Sequence, residues 1–123
     1  NGYTIVDYGT NSEDPCDYPD FAYKLGNAIL TNAVEFGVAI CGSGIGISIA
    51  CNKVKGIRCA KVDNLKEAEL TRLHNDANVI AISADIDDDL AKSMVDKFLV
   101  TPFSGVDKYV RRNNMIKDKE NNG

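Results

Sequence analysis

Residues 36–53 read Phe-Gly-Val-Ala-Ile-Cys-Gly-Ser-Gly-Ile-Gly-Ile-Ser-Ile-Ala-Cys-Asn-Lys. The apolar run 36–41 is what a strand buried in a parallel sheet looks like, and the residues after Gly44 predict a helix. Between them Gly42, Gly44 and Gly46 mark a tight strand-to-helix junction. Such a junction, at the carboxyl end of a strand, is where α/β proteins bind ligands. Its unpaired amides converge on an anion, and the thiol of Cys41 at the strand's end shares that pocket.

Working outward, residues 4–8 predict a strand, followed by a polar loop over 11–15. Pro19 suits the first turn of a helix that carries Phe21, Leu25, Ala28 and Ile29 on one face. Downstream, the glycine loop opens a short helix to about residue 54, and 57–62 predicts a strand. Asn64 with Glu67 three residues later announces another helix. Residues 78–83 are a further apolar strand, and Leu90, Ala91, Met94, Val95, Phe98 and Leu99 recur at helical spacing. A breaker region at 102–105 precedes a last, strongly charged helix. Strand and helix alternating with short connections predict a single α/β domain over 1–123, a Rossmann-like three-layer sandwich whose mostly parallel sheet is covered on both faces.

Composition narrows the function. With 123 residues, 44% hydrophobic and 26% charged, the chain supports one core, and its net charge of −4 argues against nucleic acid or an anionic membrane as partner. No apolar run approaches the roughly 20 residues that span a bilayer, and the opening Asn1-Gly2-Tyr3 lacks the pattern of a signal peptide. Four cysteines without Cys-x-x-Cys spacing and a single histidine do not suggest a metal site. Reduced thiols and a cytoplasmic setting are the expectation.

Cys-Gly-Ser-Gly-Ile-Gly-Ile-Ser-Ile-Ala is followed by Asn52-Lys53, Gly56-Ile57-Arg58 and Leu73-His74-Asn75-Asp76-Ala77-Asn78. Asp7-Tyr8-Gly9-Thr10 and Asp17-Tyr18-Pro19 precede it. In this order the motifs resemble type B ribose-5-phosphate isomerases over nearly the whole chain, from Tyr3 to about Ile116. The resemblance implies an aldose-ketose isomerase of the pentose phosphate pathway that works through an enediolate without metal or organic cofactor. It also implies a strand-and-helix unit, with an Asp-His pair, ahead of the first residue given. A parallel sheet lacking that strand would leave backbone groups unpaired, so roughly 25 to 30 further residues are expected there.

The resemblance further assigns roles. Cys41 matches the proton-transferring base, and a helix N-terminus beyond it would lower its pKa; a buried structural cysteine is the plain alternative. Cys16, Cys51 and Cys59 are read as structural. Ser43 matches the residue that assists proton transfer to a substrate oxygen, or is a helix cap. Gly42, Gly44 and Gly46 would let amides approach the developing oxyanion, or simply make the turn. His74 matches the histidine that opens the sugar ring. Asn75 matches a binder of substrate hydroxyls, with a helix C-cap as its plain reading, and Tyr18 matches a pocket tyrosine.

Phosphate recognition departs from the family. Its Arg-His-x-x-Arg pattern stands here as Lys108-Tyr109-Val110-Arg111-Arg112, so Lys108 keeps the charge without the planar fork. Asp85 stands where relatives often carry a phosphate-binding arginine, and its plain reading is a helix N-terminal acid. The resemblance implies a homodimer or a tetramer with shared active sites, in which Lys108 and Arg112, on a C-terminal helix at about 106–119, face a partner subunit. The bland alternative is a solvated basic face. Galactose 6-phosphate or allose 6-phosphate isomerisation is a second enzyme reading. Two readings of other classes stay open: a noncatalytic sugar-phosphate binder, and a dinucleotide module in which the glycine loop is answered by Asp63.

Overall fold

The structure, a computed structural model, describes residues 17–122. The strand expected at 4–8, the loop after it and Cys16 lie outside the described residues. Elements alternate in chain order as α1 (Tyr18–Leu30), β1 (Gly37–Cys41), α2 (Ile45–Asn52), β2 (Cys59–Lys61), α3 (Leu65–Leu73), β3 (Val79–Ser83), α4 (Asp88–Val100) and α5 (Asp107–Asn122).

Local chemistry explains the boundaries. Pro19 sits in the first turn of α1, where an amide would have no helical partner anyway. The Asn64 side chain accepts from the Glu67 amide at 2.8 Å, and the Glu67 carboxylate reaches back to the Asp63 amide at 2.7 Å, closing a cap at the start of α3. Asp87 caps α4 by accepting from the amides of Asp89 and Leu90. Asp85, read from sequence as a helix N-terminal acid, lies ahead of that cap in the connecting turn. The strand expected over 57–62 is shorter, only Cys59–Lys61, because Ile57 and Arg58 are held by Val54 and by the Asn78 side chain.

Among the described residues the sheet has three parallel strands in the order β1-β3-β2. The central strand β3 shows why it reads as an unbroken apolar run: both of its faces are buried. Val79 and Ala81 join Ala22, Ala39, Ile47, Ala50 and Cys51 in a core beneath α1 and α2. Ile80 and Ile82 join Val62, Ala68, Met94 and Phe98 in a second core beneath α3 and α4. Phe98 is fully buried and meets Phe36 edge to face, centroids 5.4 Å apart; burying such a ring is worth about 2 to 3 kcal/mol. This is the predicted three-layer arrangement. No described helix is long and apolar enough to cross a membrane.

Parallel pairing decides what can meet what. Gly37 is level with Val79 and Cys41 with Ser83, so everything after β1 and β3 gathers at the carboxyl end of the sheet. The α3–β3 connection, with His74 and Asn75, is left at the opposite, amino end.

Candidate active site

At the carboxyl end the glycine loop turns directly into α2. Gly44 adopts φ +78° as the N-cap of that helix, a left-handed conformation that favours glycine. Its amide donates to Cys41 Sγ at 3.2 Å. Partial burial alone would push the Cys41 thiol up. The Ile47, Gly44 and Ser43 amides, with the Ser43 hydroxyl, outweigh it and leave the thiol below its ordinary value. That favours thiolate, the form that can act as base or nucleophile.

Ser43 Oγ accepts from the Ile45 amide at 3.1 Å, so the hydroxyl covers an orphan donor of α2 while standing beside the thiol. Gly42 is open: a methyl group built there would meet nothing within 4 Å, which leaves room for a ligand against the backbone. Gly46 makes room for an aromatic ring. A Cβ there would come within 2.7 Å of the Tyr18 ring and hydroxyl, so this glycine is the seat on which Tyr18, the first residue of α1, rests. Cys41, Ser43, the three glycines and Tyr18 therefore form one cluster.

His74, Asn75, Lys108 and Arg112 belong to another. His74 follows the last residue of α3 and stacks on Tyr109, centroids 4.1 Å apart and planes within 19°. Its carbonyl accepts from the buried Asn113 side chain at 3.0 Å, so α5 holds the histidine from two sides. Tyr109 and Asn113 make one stripe of α5, and Lys108 and Arg112, both exposed, run beside it one turn apart. Asn75 is exposed, and its carbonyl accepts from Arg58 Nε at 3.1 Å. It follows the helix cap, which is His74.

The two clusters lie at opposite ends of the sheet. A five-residue strand separates their levels, which at about 3.3 Å per residue is about 13 Å.

Several residues that shape the site have no role assigned to them by the sequence. Asp76, at φ 48°, is clamped by Arg72 Nη1 at 2.8 Å and by Arg58 Nη2 at 3.4 Å. Arg58 Nη2 also donates to the Asp76 carbonyl at 2.8 Å. Arg72 is nearly buried and donates onward to the carbonyls of Ala77 and Thr101 at 2.7 and 3.0 Å. Asn78 accepts from the Arg58 amide and donates to Gly56, both at 2.9 Å. The later part of His-Asn-Asp-Ala-Asn thus holds the loop that presents its first two residues. At the other end Ser83 donates to the Gly42 carbonyl at 2.8 Å and contacts the Asp85 carboxylate, a link between strands that periodicity could not reveal.

Cys59 and Cys51 face each other; the hydrogen bond that the Cys59 thiol donates to Cys51, with burial, pushes the Cys59 thiol well up. Asp63 pairs with Lys61 at 2.6 Å at the end of β2, and β3 stands between it and the glycine loop. A dinucleotide module needs that acid on the strand beside the loop, so the geometry speaks against this reading.

A family model described as Ribose/Galactose Isomerase matches residues 1–116. Ribose-5-phosphate isomerase B of Escherichia coli is 40% identical over 105 residues, which are 85% of this chain and 70% of that protein. The structure of Clostridium thermocellum ribose-5-phosphate isomerase B superposes with a TM-score of 0.94 at 40% identity, covering 98% of this chain and 81% of that one. Ribose-5-phosphate isomerase B of Mycoplasma genitalium, solved with bound ribulose-5-phosphate, has a TM-score of 0.92 at 37% identity, over 98% of this chain and 81% of that one.

Proposed function

We propose, from the premise that this chain belongs to the Ribose/Galactose Isomerase family, that it interconverts ribose 5-phosphate and ribulose 5-phosphate in the cytoplasm with Cys41 as the base. The observation that carries the assignment of the base is the Cys41 sulfur at the carboxyl end of β1, receiving the Gly44 amide at 3.2 Å and held toward thiolate by the surrounding amides.

In this reading the Cys41 thiolate takes the proton from C2 of the open-chain aldose. The C2–H electron pair becomes the C1–C2 double bond, and the C1 carbonyl oxygen becomes an oxyanion. The proton returned from Cys41 to C1, with the O2 proton passed to O1 through Ser43, completes the ketose. The amides around Gly42 and Gly44 receive the enediolate charge in a place no side chain obstructs. Tyr18, seated on Gly46, walls the sugar.

Ring opening and phosphate binding come from a second copy. His74 of the partner subunit acts on the ring oxygen, Asn75 of the partner subunit binds hydroxyls, and Lys108 and Arg112 of the partner subunit hold the phosphate. Support comes from the distance of these residues from Cys41 in their own chain. A further support is α5, which exposes Val110, Met115 and Ile116, with Val106 exposed just ahead of it, an apolar set a partner would cover. The single domain with its last helix docked on a partner follows from the same reading.

Mixing two inactive variants tests all of this. Cys41→Ala and His74→Ala are each expected to lose ribose 5-phosphate isomerisation. In a dimer of one of each, one site receives an intact Cys41 and an intact His74. Random reassortment then restores about a quarter of the wild-type activity. No recovery after verified subunit exchange would refute the shared site. Turnover of galactose 6-phosphate or allose 6-phosphate in place of ribose 5-phosphate would overturn the substrate, and binding without turnover by the wild type would overturn the enzyme.

A further inference from the structure

The carboxyl ends of β1 and β3 are tied together more closely than strand pairing requires. The Ala84 amide donates to the Cys41 carbonyl at 2.9 Å, and Ser83 Oγ donates to the next carbonyl, Gly42, at 2.8 Å. Gly44 completes the contact from the other side: a Cβ on it would lie 3.0 Å from the Ile82 carbonyl carbon and 3.1 Å from the Ser83 nitrogen. The glycine loop therefore rests against β3 and its first turn. In this seated conformation the Gly44 amide reaches Cys41 Sγ, and a rotation of the Gly42 peptide would redirect the groups that follow it.

We infer that Ser83 is a positioning residue for the Cys41 thiol: its hydroxyl, by holding the Gly42 carbonyl, keeps the glycine loop in the conformation that aims the Gly44 amide at the sulfur. Asp85 has an opposing part. Its carboxylate is a second acceptor for the same hydroxyl, and a serine has one hydrogen to give. Each bond to Asp85 is one withheld from Gly42, so the carboxylate competes with the seating of the loop. The consequence for turnover rests on the isomerase reading; the effect on the thiol does not.

The test follows iodoacetamide alkylation of the Cys41 peptide by mass spectrometry between pH 6 and 10, with folding checked by circular dichroism. Wild type, Ser83→Ala, Ser83→Thr and Asp85→Ala are compared. Ser83→Ala is expected to move the alkylation midpoint to higher pH and to slow the reaction at neutral pH about three- to tenfold, the effect of one lost hydrogen bond. Ser83→Thr keeps the hydroxyl and restores the wild-type profile. Asp85→Ala frees the hydrogen for Gly42 and reacts as fast as wild type or faster. In the isomerase assay Ser83→Ala lowers kcat with little change in KM.

An unchanged profile in Ser83→Ala overturns the inference, as does failure of threonine to restore it. So does an equal loss in Asp85→Ala, which would make the carboxylate the holder. A Ser83→Ala chain that does not fold overturns it too, since the hydroxyl would then serve the fold rather than the thiol. Should the wild type show no isomerase activity while the alkylation profiles shift as expected, the isomerase reading fails and the positioning role stands.

Discussion

Gly44→Ala, set against Gly42→Ala, puts a number on the strain built into the thiol's loop. The two glycines are two residues apart and differ in backbone angle and in the space around them. Gly44 stands at φ +78°, with a Cβ position 3.0 and 3.1 Å from backbone atoms of Ile82 and Ser83, whereas a Cβ on Gly42 meets nothing within 4 Å. The left-handed conformation costs an L-residue about 1 to 2 kcal/mol. Crowding against backbone that cannot swing aside adds about 1 to 3 kcal/mol, and alanine returns about 0.4 to 1 kcal/mol by restricting the unfolded chain. The net expectation for Gly44→Ala is a loss of about 2 to 4 kcal/mol, and for Gly42→Ala a change within about 1 kcal/mol. A domain of this size holds on the order of 10 kcal/mol, so both variants fold. Urea unfolding at one fixed protein concentration, with unchanged slope, reads the difference as a midpoint drop of about 1 to 2 M for Gly44→Ala alone. Equal midpoints for the two variants, or a loss below about 1 kcal/mol in Gly44→Ala, would refute the claim that this glycine is required by its backbone angle and its neighbours.

Two further predictions concern charge. The native Cys41 thiol ionises below its ordinary value of 9.0, so through the window between the two the unfolded chain binds more protons. The thiolate then adds stability as pH climbs through that window, fully above 9 and not at all below the native pKa. The stability gap between wild type and Cys41→Ala, followed by urea unfolding from pH 6.5 to 9.5, should therefore widen with pH; a constant gap would mean the amides do not favour the thiolate. Arg72→Met strips Asp76 of its closer partner and leaves the Thr101 and Ala77 carbonyls without their donor. The two carbonyls left without a donor are expected to cost about 2 to 3 kcal/mol, the half-exposed ion pair adding little, measured by the same unfolding, and a loss under about 1 kcal/mol would show that Arg58 alone holds the turn.

The separation into two clusters is a feature that a linear reading of motifs does not supply. Cys41, Ser43 and His74 carry the same family signal, and nothing in a linear order says that parallel strands send the first two to one end of the sheet and the third to the other. Gly46 illustrates the same limit: the motif marks it as special, but its partner, Tyr18, comes from a helix start far back in the chain. Asp85 lies before the α4 cap because Asp87, one of several consecutive acids, satisfies the first amides of that helix, and choosing among adjacent acids takes the backbone path. Arg72 looks like any surface arginine, and Arg58 like a motif residue without a task, until Asp76 is placed between them.

By itself the sequence determined the order of elements, the two-sided burial of residues 79–82 and the glycine junction behind Cys41. These follow from local rules: apolar period, caps, and the residues a turn tolerates. Only the tertiary structure decided which groups share a surface. Strand direction and register place Cys41 beside Ser83 and away from His74, and α5 folds back to stack Tyr109 on that histidine. Contacts of this kind depend on the path of the whole chain, whereas the elements that make them depend on a few neighbouring residues.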